Sequence, residues 1–69
     1  MTEIKMNVAM ICAYKKCSTR ELARLSTINE THLEAVRAGR AKMTADDIIG
    51  ICGATGLNMN QIETDPAKQ

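Results

Sequence analysis

Apolar residues recur along this chain at helical spacing. Ile4, Val8, Ile11 and Cys12 stand at i, i+4, i+7 and i+8, one face of a helix of about three turns. No alternating run of β-branched residues predicts a strand, so the expected class is all-α. Polar caps mark where the helices start. Ser18 followed by Glu21 reads as a capping box, Thr44 with Asp47 as a weaker version and Asn58 with Gln61 as another, while Asn29 caps alone. Periodic apolar residues after each cap predict helices over 4–16, 19–26, 30–38, 45–54 and 59–63, a compact five-helix domain. Gly39 and Gly56 supply stops. Gly50 and Gly53 fall inside the fourth helix, where each costs about 1 kcal/mol relative to Ala, and read as close-packing positions. Pro66 and its polar neighbours end the domain, expected over 1–63, and leave 64–69 as a flexible tail.

A chain of 69 residues holds one small core. Its three cysteines, Cys12, Cys17 and Cys52, are an odd and unpatterned set with no secretory leader ahead of them. They read as reduced, small core residues in a cytoplasmic protein. No apolar run approaches the roughly 20 residues that cross a bilayer. One histidine and no C-x-x-C spacing predict no metal site. No Ser/His/Asp or Cys/His set suggests a catalytic residue, so the expectation is a non-enzyme without cofactor, and His32 reads as an ordinary surface histidine.

Residues 18–40 carry the functional signal: two short helices joined by a tight turn, a helix-turn-helix. Leu22 and the small Ala23 face inward from the second helix, Ile28 plugs the turn, and Leu33 and Val36 form the buried stripe of the third. At about 100° per residue, Thr31, Glu34, Ala35 and Ala38 point the other way, leaving short side chains free to approach base edges. Charge is uneven. Residues 1–42 hold eight basic against four acidic side chains, residues 43–69 one against four. A basic front suits a polyanionic partner. Tyr14 is the sole aromatic, which argues against the base-stacking surfaces of single-strand and RNA binders.

The run Leu22-Ala23, Thr27-Ile28-Asn29, Leu33, Val36 and Gly39-Arg40 resembles the phage Cro and repressor type of helix-turn-helix. Thr44, Ile48, Ile51, Leu57, Met59 and Ile62 extend the resemblance to residues 4–63. It implies a lambda-repressor-like fold and a sequence-specific, double-stranded-DNA-binding transcriptional regulator, a Cro-like repressor acting as a homodimer. Base reading from the first, second and sixth positions of the third helix would fall to Glu30, Thr31 and Ala35, with Glu34 on the same side. Phosphate contacts are expected from Thr19, Arg20, Asn29, Arg37, Arg40 and Lys42. The family often has Gly where Thr27 stands, Glu at Arg37 and Leu at Thr55. Thr27 is therefore expected at φ < 0, and Arg37 as a phosphate contact in place of an internal pairing. Dimer contacts are expected from the fifth helix, around Leu57 to Ile62, and from the tail. Met6, Met10 and Ala13 form a second apolar face on the first helix, covered either by the C-terminal segment or by another subunit. A second reading is a protein-interaction module, an antirepressor or antitoxin-like factor, suggested by Glu30 and Glu34 on the outer face.

Overall fold

In the computed structural model, which describes residues 4–69, four α-helices surround one core: α1 Val8–Lys15, α2 Thr19–Ser26, α3 Glu30–Arg37 and α4 Ala45–Thr55. Single 3-10 turns follow at Met59–Gln61 and Pro66–Lys68. Each α-helix starts where a polar side chain accepts a backbone N–H that has no partner within the helix. Asn7 Oδ1 takes Met10 N–H, Ser18 Oγ takes Glu21 N–H, Asn29 Oδ1 takes His32 N–H and Thr44 Oγ1 takes Asp47 N–H. Two expectations about these caps change. The Ser18 box is half formed, because the Glu21 carboxylate turns instead to Arg24, whose guanidinium holds its pKa below the usual range. The box expected to be weaker, at Thr44, is complete, with Thr44 N–H donating to Asp47 Oδ2 at 2.9 Å.

Three helices stop in the same way. A residue in the left-handed region, Lys16, Thr27 or Gly39, is followed by one whose N–H reaches back five residues: Cys17 to Cys12, Ile28 to Ala23 and Arg40 to Ala35, at 2.8–3.0 Å. The left-handed residue itself donates to Ala13, Arg24 and Val36 respectively, completing a Schellman motif each time. Thr27 therefore has φ +58° rather than the expected negative value. A chain that must turn sharply and still bring Ile28 back onto the core leaves this position no extended alternative. α4 ends on Gly56 with a single bond to Cys52. Thr55, where the family often has Leu, is buried there. Its hydroxyl donates to the Ile51 carbonyl and accepts Leu57 N–H.

The first and last predicted helices are shorter than the periodicity suggested. α1 begins at Val8 rather than residue 4, because Asn7, itself extended, caps it and residues 4–7 are not helical. Met6 pairs with Ile62 in a parallel bridge, its N–H donating to Gln61 and its carbonyl accepting from Glu63. Ile4, assigned to the buried face, is 81% exposed. The fifth helix, expected over 59–63, is one 3-10 turn: the Asn58–Gln61 capping box forms, but Ile62 is already extended. Residues 64–69, expected as a flexible tail, fold back on the start of α1. Gln69 Oε1 accepts Val8 N–H and Asn7 Nδ2 donates to the Lys68 carbonyl.

The core comprises Val8, Ile11, Cys12, Leu22, Ala23, Leu33, Val36, Met43, Ile51, Leu57 and Ile62. α4 packs chiefly on α2, and α2 on α3. Gly50 makes the first of these contacts close: a Cβ there would collide with the Ser26 carbonyl oxygen, whereas one at Gly53 would meet nothing. Of the second apolar face on α1, Met6 packs on the core while Met10 and Ala13 stay exposed. Leu57 and Ile62, expected at a dimer contact, lie in the core instead. No described helix is long and apolar enough to cross a membrane.

Two outcomes follow from these local constraints. Thr27→Gly should stabilise the protein by about 1 kcal/mol in chemical denaturation, since a β-branched residue in the left-handed region costs about that much. Asp47 supplies the second test. Burial opposes its ionisation, but hydrogen bonds from Thr44 and His32 outweigh that, so its carboxyl sits below the ordinary range. A depressed carboxylate contributes stability that is complete above about pH 4 and lost as pH falls through the folded value. Asp47→Asn should therefore be less stable than wild type by about 1–3 kcal/mol at pH 6, with the gap closing in acid.

Candidate nucleic-acid interface

α3 is two turns long, and two of its side chains, Leu33 and Val36, are buried. Their three-residue spacing makes a narrow stripe, so the opposite side of the helix stays clear of the protein. Glu30, Thr31, Glu34 and Ala38 are exposed there and Ala35 is half-buried. The four expected base-reading residues, Glu30, Thr31, Glu34 and Ala35, thus share the outer side, with Glu30 towards one flank. This is the face that a helix-turn-helix presents to a major groove.

The expected phosphate contacts divide into two groups. Arg20, at the start of α2, and Glu30, at the start of α3, approach to 3.9 Å, both well exposed. The basic side chain thereby offsets the carboxylate at the flank of the reading surface. Arg40 and Lys42 follow the α3 stop on an exposed loop, and neither makes an ion pair among the described residues. Asn29 is exposed at the α3 cap, with its Oδ1 occupied by His32 N–H. These four can approach a backbone from either end of α3.

The Thr19 hydroxyl is turned inward, and Arg37, though exposed, is hydrogen-bonded to it within the protein. The Thr19 side chain is buried, and its hydroxyl lies 3.9 Å from Cys12 Sγ while accepting a hydrogen bond from Arg37 Nη1. A hydroxyl placed there has no path to a phosphate. Arg37, expected to replace an internal pairing with a phosphate contact, makes an internal pairing after all, from the end of α3 to the start of α2.

His32 is the residue whose part the sequence concealed. It is half-buried rather than an ordinary surface histidine, and its Nε2 lies 2.6 Å from Asp47 Oδ2. Because Asp47 is an ionised acceptor, Nε2 carries the proton that forms this bond. The same oxygen accepts Thr44 N–H, so one carboxylate joins α3 to the cap of α4. Asp47 at the third position of a Thr-capped helix was the available signal. Nothing local indicated a partner fifteen residues away.

The cysteines lie apart from this face. Cys12 is buried, and burial first, then the neighbouring Cys12, pushes the Cys17 thiol pKa up, which favours the protonated form. Among the described residues no group of three or more His, Cys, Asp or Glu side chains could hold a metal ion.

Comparison with known proteins agrees with the geometry. The model of the Cro/C1-type HTH DNA-binding domain family matches residues 7–68, nearly the whole chain. No curated protein and no solved structure matches it. With the helix-turn-helix at 19–37 and the match running from the cap of α1 to the final turn, the chain belongs to the Cro/C1-type HTH DNA-binding domain family.

Proposed function

We propose that this DNA-binding protein is a sequence-specific transcriptional repressor of the Cro-like, phage or prophage kind, laying α3 in the major groove of its operator. The observation that carries this reading is the outer side of α3, where Thr31 and Glu34 are exposed and Ala35 half-buried while Leu33 and Val36 hold the helix to the core. Thr31 bonds a base edge or meets a thymine methyl, Ala35 packs on a thymine methyl, and Glu30 or Glu34 accepts from a cytosine amino group. Arg20, Asn29, Arg40 and Lys42 contact phosphates, helped by the free N–H groups at the start of α2.

The protein acts as a homodimer on a two-fold-related site with half-sites about 34 Å apart. Leu57 and Ile62 are used in the core, so the dimer contact rests on Ile49 and Met59, which are 64% and 66% exposed on elements that pack together. Binding occludes a promoter in the cytoplasm of a prokaryotic cell.

Selection of bound duplexes from a random library tests specificity and site symmetry together. An enriched palindromic site supports the reading. With about three to five phosphates neutralised per subunit, affinity falls with salt at a log–log slope of about −0.9 per contact. Arg40→Ala and Lys42→Ala should each flatten that slope by about 0.9 and weaken all sequences alike, whereas Thr31→Ala should relax preference at one base position. No duplex retained at low salt, together with a stable complex with another regulator, would favour the protein-interaction reading.

A further inference from the structure

α3 has a mechanical problem. Two buried residues three apart secure its position but only weakly its rotation about its own axis, because a helix can roll over a narrow apolar stripe at little cost in burial. Its packing is chiefly against α2, with less against α1. Yet base reading depends on that rotation: a roll of a fraction of a residue step swings Thr31 and Ala35 off the base edges.

Two polar contacts flank the stripe. At about 100° per residue, His32 and Arg37 sit about 70° to either side of the midpoint between Leu33 and Val36. His32 reaches Asp47 at the cap of α4 on one flank, and Arg37 reaches the buried hydroxyl of Thr19 at the start of α2 on the other. Both anchors are held in turn. Asp47 is buried and bonded to Thr44 N–H, and Thr19 is buried beside Cys12. Among the described residues, these are the side-chain hydrogen bonds that tie α3 to α4 and to α2; the Arg20–Glu30 pair is long and exposed.

We propose that His32 and Arg37 are positioning residues, a pair of opposed tethers that set the roll of α3 and so determine which base edges Thr31 and Ala35 address. This rests on α3 being the reading helix. Neither side chain reads a base itself. The tethers act on specificity, whereas Arg20, Arg40 and Lys42 act on general affinity for the backbone.

The test compares a duplex selected by the wild-type protein with a scrambled duplex of equal length, across salt concentrations. His32→Ala and Arg37→Ala should each lose roughly tenfold affinity for the selected duplex, of the order of one misplaced base contact, while the scrambled duplex is bound as by wild type. His32→Gln, which keeps a donor within reach of Asp47, should recover most of the loss. Equal losses on both duplexes, or no loss on either, would overturn the proposal. A flatter salt slope in Arg37→Ala would overturn the role of Arg37, since it marks a phosphate contact.

A second readout needs no DNA. Imidazole nitrogen shifts of the free protein should show the Nε2–H form, and α3 amides should exchange faster in His32→Ala than in His32→Gln. A different tautomer, or equal exchange in the two variants, would sink the tether. Failure of the wild type to select any duplex would count against the DNA reading, and the tethers would then stand or fall on these free-protein measurements.

Discussion

The burial of Leu33 and Val36 against the core is the contact on which the rest of this molecule depends. A two-turn helix has no stability of its own in water, so α3 exists because those two side chains leave solvent among Leu22, Ile51 and their neighbours. Each brings about 1.5–3 kcal/mol of hydrophobic stabilisation. The same narrowness that makes α3 marginal makes it useful. A wider apolar stripe would hold the helix more firmly but would leave less of its circumference to meet a groove.

Such a helix must be steadied by something other than apolar area. Here the means are short, directional and placed at helix ends. Schellman stops end α1, α2 and α3, and side-chain caps begin all four helices. The polar contacts across the fold also use helix starts: Asp47 and Thr19 lie in the first turns of α4 and α2. Hydrogen bonds at these places satisfy groups that would otherwise face the interior alone, and they resist sliding and rolling in a way that apolar contact does not. A small protein with 69 residues and one aromatic side chain can therefore present a rigid surface without a large core.

Much of this architecture was legible before any coordinates. Cap residues act within three or four positions of themselves, so Ser18, Asn29 and Thr44 announce helix starts wherever the chain goes, while Asn58 opens only a 3-10 turn. The helix-turn-helix spacing was likewise readable, because Leu22, Ile28, Leu33 and Val36 must meet in one core. Other elements escaped because competing partners lay far off in sequence. Ile4 looked like the head of the first helix until Met6 found Ile62. Residues 59–63 looked helical until the backbone at Ile62 was needed for that same bridge. Thr27 took a strained conformation because two backbone hydrogen bonds and the packing of half-buried Ile28 against the core outweighed the preference of a β-branched residue.

What the amino-acid order alone determined is the set of short-range facts: where the second, third and fourth helices begin and stop, which side of the second and third is apolar, and which residues are left on the outer side of the third. Periodicity and capping act over one or two turns, so one dimension suffices to read them. Only the tertiary structure decided which polar groups meet across the fold. That pairing turned the Thr19 hydroxyl inward to meet Arg37 and joined His32 to Asp47. Charge and hydrogen-bonding capacity are written in the residue, but a partner is chosen by distance and angle, which exist only once the helices have packed.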